Sequence, residues 1–209
     1  SASRIPTHEA LELDRAAGRA RKHGPLQLDL YGIAKGYAVD RMTAVLRRHG
    51  VRHALVALDG ELLAVGSQAS GQPWAVAVES PQDGRRAVHS VVELQDLAVA
   101  TSGDYRRYLE VGGMRLSHTM DARRAAPVRN DVASVTVLAS ACMHADAWAT
   151  ALLVAGPDEG LALARRMGLE ALWLLRRDGA LAAMGLGRFG DAHANPMAED
   201  VSKQCKSGI

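Results

Sequence analysis

Aromatic side chains make up only 4% of the 209 residues, so the stacking platforms that hold single-stranded nucleic acid are thinly supplied. No sign of charge dominates either. Twenty-five lysines and arginines stand against 23 aspartates and glutamates, a formal net charge of +2. The basic residues are scattered rather than gathered, which leaves no electrostatic footprint for nucleic acid as a partner. Cysteine is nearly missing. Cys142 lies in an apolar stretch and Cys205 in a polar tail, and the pair gives no disulfide framework. No apolar run approaches the ~18 residues of a membrane-spanning helix, and no leader-like segment opens the sequence. As it stands the chain reads as soluble without a transmembrane segment, a reading that leaves its compartment open because a processed exported protein looks the same. Histidines other than His118 show no ligand spacing, so zinc is not expected.

What is present is an ordinary globular composition, 48% apolar and 23% charged, enough for one core. Residues 10–13 and 19–22 flank a glycine-containing turn and read as a hairpin. Residues 26–30 alternate like a strand end, and Ala38, Met42, Val45, Leu46 and His49 follow at helical spacing. Residues 53–58 and 62–65 pair about Asp59-Gly60-Glu61. Further strands follow at 74–78, 88–94, 97–101, 105–111, 114–118 (the last two turning at Gly112-Gly113) and 134–138. From Ala141 the pattern turns helical. One helix spans 142–155, ended by Gly156-Pro157, and a second spans 158–167, closed by Gly168. A hairpin over 172–175 and 180–184 follows, and then a Gly-rich, polar tail that reads as mobile. A single α+β domain with a mostly antiparallel sheet is the simplest architecture.

Three stretches carry candidate chemistry. The first is Asp29-Leu-Tyr-Gly-Ile-Ala-Lys-Gly-Tyr-Ala-Val-Asp40, a junction into a helix in which Gly32 and Gly36 could frame a diphosphate at the helix N-terminus, with Lys35 supplying charge. Simple helix packing accounts for the same glycines. The second is Ala145-Asp-Ala-Trp-Ala-Thr150, where Asp146 and Thr150, four residues apart, share one helical face. Two oxygens a turn apart suit a hard cation such as Mg²⁺, although Asp146 could equally cap the helix and Thr150 bond back to a carbonyl. In the third, Thr101-Ser-Gly-Asp-Tyr105 and Ser117-His-Thr-Met-Asp121 bring hydroxyls, a histidine and carboxylates to strand ends. Ser102 lacks nucleophile-elbow spacing. His118 is a candidate general base or phosphate contact, or a hairpin cap.

Taken in order, these stretches resemble the FAD:protein FMN transferases of the ApbE type. The family run Asp-Leu-Gly-Gly-Ile-Ala-Lys-Gly-Tyr-Ala-Val-Asp stands here as residues 29–40, Leu-Gly-Gly-Asp as Leu58-Asp-Gly-Glu61, and Thr-Ser-Gly as Thr101-Ser-Gly103. His-Ile-x-Asp-Pro-x-Thr-Gly stands as His118-Thr-Met-Asp-Ala-Arg-Arg-Ala125, and Ala-Asp-Ala-x-Ala-Thr as residues 145–150. The resemblance implies a T-fold-like domain over residues 8–185, with 186–209 as the tail. It implies Mg²⁺ on the Gly32 carbonyl and the Asp146 and Thr150 side chains. Asp29, Lys35, Asp40, Ser102 and Thr119 become contacts to FAD, and Lys35 and His118 the catalytic groups. The implied reaction moves FMN from FAD onto a threonine of an acceptor protein and releases AMP. The family's habit is periplasmic or exported, lipid-anchored in the full-length protein.

This chain departs from the pattern at several places. Tyr31 and Asp59 replace glycines, Thr119 replaces an apolar residue, and the Asp-Pro-x-Thr-Gly turn has become Asp121-Ala-Arg-Arg-Ala125. Family members also carry an N-terminal region that helps enclose the flavin, and this sequence starts after it. A non-catalytic flavin- or nucleotide-binding relative, or an FAD diphosphate hydrolase, is the alternative reading.

Overall fold

The structure, a computed structural model, describes residues 7–81, 87–104, 108–111 and 114–190. It divides into two compact units, residues 1–31 and 32–209. In the first, a short helix α1 (Thr7–Ala10) leads into the hairpin of β1 (Leu11–Asp14) and β2 (Arg19–Lys22), as the sequence predicts. Asp14 Oδ1 accepts the Ala17 amide at 2.9 Å across the turn, and Gly18 takes φ 62°. The strand expected at 26–30 does not form. Pro25 has no amide to donate, and Leu28 and Leu30 are 57% and 62% exposed, so no ladder receives the alternating side chains. The segment bends instead, with Asp29 Oδ1 accepting the Tyr31 amide at 2.8 Å.

The second unit begins with α2 (Ala34–Arg48) and the hairpin of β3 (Ala54–Leu58) and β4 (Glu61–Val65). Asp59 and Gly60 both take positive φ, 49° and 108°, as a two-residue hairpin loop requires. Next come the ribbon of β5 (Trp74–Ser80) and β6 (Ala87–Leu94), then β7 (Ala98–Gly103). Two small ladders follow: β8 (Tyr108–Val111) with β9 (Met114–Ser117), and β10 (Met120–Asp121) with β11 (Ala126–Pro127). The expected Gly112-Gly113 turn lies outside the described residues. β12 (Val132–Ala139), α3 (Cys142–Met167), β13 (Glu170–Arg177) and β14 (Ala180–Leu186) complete the unit. Gly156, at φ 79° and ψ −178°, breaks α3 where two helices were expected, and Gly168 closes it in the left-handed region. Gly187–Phe189 form a 3-10 turn, and Phe189 packs on the core, so order continues past residue 185; residues 191–209 lie outside the described residues.

One antiparallel sheet organises the unit, in the order β14-β13-β12-β7-β4-β3. Val135 and Val137 of β12, Ala98 and Ala100 of β7 and Leu63 of β4 point to the face covered by α2 and α3. Leu138, Val99 and Ala64 point to the other, where the β5–β6 ribbon lies. With both faces covered, β12 is buried almost throughout, which suits its β-branched-rich sequence. Helix α2 keeps its period but not its expected phase. Gly36, Val39 and Thr43 are buried while Met42 and Val45 are exposed, because the narrow side at Gly36 admits α3.

Candidate functional site

Gly32 opens the second unit and passes close beneath α3. A Cβ there would stand 3.0 Å from both Oγ1 and Cγ2 of Thr150, so a side chain at this position would press on the Thr150 hydroxyl. Thr150 Oγ1 shares a 2.8 Å hydrogen bond with Ser102 Oγ on β7. One turn earlier on α3, Asp146 is 2% exposed, and its Oδ2 accepts the Gly36 amide at 2.9 Å. Gly36 is where α2 meets α3. A side chain there would run into the Cys142 carbonyl and stand 2.8 Å from Asp146 Cβ. Among the candidate residues, then, the fold brings Gly32, Ser102 and Thr150 into one contact group and Gly36 and Asp146 into another, and α3 carries both.

Lys35 adds the cation. Its Nζ lies 2.9 Å from Glu61 Oε1 and 3.9 Å from Asp59 Oδ2. Glu61 opens β4 and is 1% exposed, with Oε2 buried and, among the described residues, without a hydrogen-bond partner. Burial drives its carboxyl up to about 7, against the pull of Lys35 and with a small push from Asp146. Asp146 moves the same way. Burial raises it, while the Gly36 amide and Lys35 oppose the rise. Cys142, buried between these carboxylates, is pushed up to about 12, chiefly by burial, and is inert as a thiol nucleophile.

Asp40, a candidate FAD contact, spends both carboxylate oxygens elsewhere. Oδ1 accepts the Cys142 amide at 2.8 Å and Oδ2 the Met143 amide at 2.9 Å, which caps α3 from a distant helix. Asp29 sits in the first unit, where its bond to the Tyr31 amide forms the turn. His118 and Thr119 lie in the segment after β9, His118 exposed and Thr119 half-buried, with the Thr119 amide donating to Ser117 Oγ at 3.1 Å. Further on, Asp121 is buried and accepts the Arg123 amide at 2.9 Å. The Arg123 guanidinium bridges Asp121 and Glu159, both oxygens of the latter within 3.1 Å. Burial alone would raise Asp121, yet the Arg123 amide and guanidinium hold it below the usual carboxylate value.

The donor chemistry fits a hard cation. Among the described residues no cluster of three His, Cys, Asp or Glu side chains could hold a metal, but Mg²⁺ commonly takes one carboxylate and fills its other positions with neutral oxygens, waters and phosphates. A backbone kept bare beside Thr150 and an undercompensated Asp146 match that requirement. Glu61 is the residue that sequence reasoning placed without giving it a role. Period-two alternation in β4 puts it on the same face as core Leu63, and a carboxylate on a core face was the available signal. The Asp40 cap had none, since its partners lie about a hundred residues away.

Comparison with known proteins finds relatives in one family. The family model described as ApbE matches residues 1–173. The chain is 40% identical over 153 residues to the FAD:protein FMN transferase of Vibrio cholerae serotype O1, covering 73% of this chain and 46% of that protein. It is 38% identical over 154 residues to the protein of the same name from Escherichia coli K12, covering 74% and 44%. Among solved structures, the apo form of Pseudomonas stutzeri flavinyl transferase ApbE superposes with a TM-score of 0.73 at 39% identity, over 84% of this chain and 54% of that one. The flavin transferase ApbE from Vibrio cholerae gives 0.76 at 36% identity, over 87% and 57%. The chain thus spans about half the length of the relatives it matches.

Proposed function

The chain belongs to the ApbE family, and from that premise we propose that it forms the catalytic part of an Mg²⁺-dependent FAD:protein FMN transferase, with residues 8–185 as the transferase domain. The observation that carries the reading is the approach of Gly32 to Thr150 on the helix face that also bears Asp146, with Lys35 on the facing helix. The Gly32 carbonyl, Asp146 and Thr150 would hold Mg²⁺, with Ser102 fixing the Thr150 hydroxyl. Bound there, the cation would neutralise charge on the FAD diphosphate.

Lys35 adds a second positive charge on that diphosphate, and Asp29 and Thr119 are proposed contacts to the FAD. A threonine hydroxyl of the acceptor protein attacks the phosphorus on the flavin side. The bond to the bridging oxygen breaks, AMP leaves with that oxygen, and the threonine proton passes to a ring nitrogen of His118. The product is FMN joined to threonine as a phosphoester. Placement outside the cytoplasm, with a lipid anchor on the full-length protein, belongs to the same proposal; among the described residues no helix is long and apolar enough to cross a membrane.

The test is FAD, Mg²⁺ and a threonine-containing acceptor peptide with the full-length protein, read by mass. Covalent FMN on the peptide is expected, and Asp146→Ala should abolish it. The rebuilt Asp121–Ala125 turn, tied by Arg123 to Glu159, favours a second reading as an FAD hydrolase or a binding-only relative. AMP release without labelled peptide would mark the hydrolase, and FAD binding without AMP release the binding-only relative.

A further inference from the structure

Glu61 is the least explained group in the site. A carboxylate with 1% exposure normally satisfies both oxygens, yet Oε1 meets Lys35 Nζ at 2.9 Å and, among the described residues, Oε2 has no hydrogen-bond partner. Fold stability does not call for it. The neighbouring positions on this face of β4 are filled by core side chains such as Leu63, and a buried carboxylate with one partner costs more than an apolar group of similar size. Lys35 is the other half of the pair and is 38% exposed, so its ammonium reaches solvent on one side while Glu61 holds it from below. An ammonium has three donors, and a single fixed acceptor beneath it leaves the others turned outward.

We propose that Glu61 is a positioning residue: from its buried place at the start of β4 it anchors the Lys35 ammonium through one hydrogen bond and presents the remaining donors to the diphosphate of the bound dinucleotide. This rests on the transferase reading for the identity of that ligand and goes beyond it in giving the lysine a fixed orientation and naming the residue that imposes it. Asp59, 3.9 Å from Nζ on the exposed turn, is too distant and too solvated to do the same.

The experiment is a double-mutant cycle on FAD binding, followed by flavin fluorescence, with ADP as a flavin-free diphosphate probe. The proteins are the full-length wild type, Glu61→Ala, Glu61→Gln, Lys35→Met and the Glu61→Ala/Lys35→Met double variant, each checked for an intact thermal transition. Glu61→Ala should weaken FAD and ADP about tenfold, the worth of one charge-assisted hydrogen bond. Glu61→Gln keeps an acceptor oxygen and should recover binding to within about threefold of wild type. In the Lys35→Met background, Glu61→Ala should change nothing further. Equal losses in both backgrounds would overturn the proposal, as would wild-type binding by Glu61→Ala. If Glu61→Ala does not fold, wild-type-like coupling in Glu61→Gln supports the proposal and a full loss in Glu61→Gln overturns it. FAD binding with this coupling but without peptide labelling would sink the transferase reading alone, and failure of the wild type to bind either nucleotide would sink both.

Discussion

The α2–α3 contact and the segment from His118 to Ala125 both bury a carboxylate, and they treat it in opposite ways. At the contact, Glu61 and Asp146 are raised by burial, and one half-exposed lysine only partly compensates them. In the segment, Asp121 is held low because Arg123 gives it an amide and a guanidinium together. One region is short of positive charge; the other neutralises itself. Departures from the family pattern fall in both regions: Gly32, Lys35, Asp146 and Thr150 stand as the family motif has them while Tyr31, Asp59 and Glu61 do not, and the turn after Asp121 has acquired its own arginines.

The largest effect is expected from filling the contact. Gly36→Ala would ordinarily stabilise a helix by about 1 kcal/mol, but here the added methyl meets the Cys142 carbonyl, a backbone atom that cannot move aside cheaply. Overpacking should win, costing about 3 kcal/mol and lowering Tm by roughly 10 °C for a chain of this size. A thermal melt decides it, and an unchanged or raised Tm would show that α2 and α3 are not locked at this point.

Next comes the pH dependence of Glu61. Its carboxyl moves from an ordinary 4.5 to about 7 on folding, so between those values the folded state keeps a proton that the unfolded state has released. Stability therefore falls as pH rises through that window. The loss is on the order of 3 kcal/mol at most. Glu61→Gln removes it, so the variant should gain Tm over wild type progressively from pH 5 to pH 8. A constant difference across that range would show that Glu61 is ionised throughout.

A smaller effect attaches to Asp40. Replacing it by alanine leaves the Cys142 and Met143 amides without their acceptors, at a cost of about 1–2 kcal/mol typical of a lost cap. Melts of Asp40→Ala and Asp40→Asn should order wild type, Asn, Ala. If instead Asp40 contacts FAD, both variants should lose FAD affinity out of proportion to their stability.

Much of this was legible because local rules and long-range packing agree. The Asp59-Gly60 and Asp178-Gly179 loops, the Gly156-Pro157 break and the Gly168 cap are each set by the chain's own dihedral needs. Asp146 and Thr150 could be paired from helical spacing alone. Illegible features depended on partners far away in sequence. Residues 26–30 have strand alternation and, among the described residues, no neighbour to pair with; α2 has the expected period, but its phase is chosen by α3 docking at Gly36; Asp40 reads as part of a binding run yet caps a helix about a hundred positions on. The one miss with a usable signal is Glu61, visible as a charge in a core register.

The smallest effect tests the other side of the comparison. The Arg123 guanidinium and its partner Glu159 are exposed, while Asp121 is buried, so Arg123→Ala should lower Tm near neutral pH only slightly. The substitution keeps the backbone amide that Asp121 accepts, and the buried carboxylate therefore retains a donor. What should change is the acid limb. Asp121 sits below its ordinary 3.8 in the folded state, so its contribution is present above that value and is lost as pH falls. With the guanidinium gone, the variant should match wild type in strong acid and fall slightly behind above pH 4. Its affinity for FAD with Mg²⁺ should stay within about twofold. A large loss of affinity would show that the arginine turn is part of the ligand site after all, and would erase the contrast between an undercompensated region proposed to bind and a self-neutralised one proposed not to.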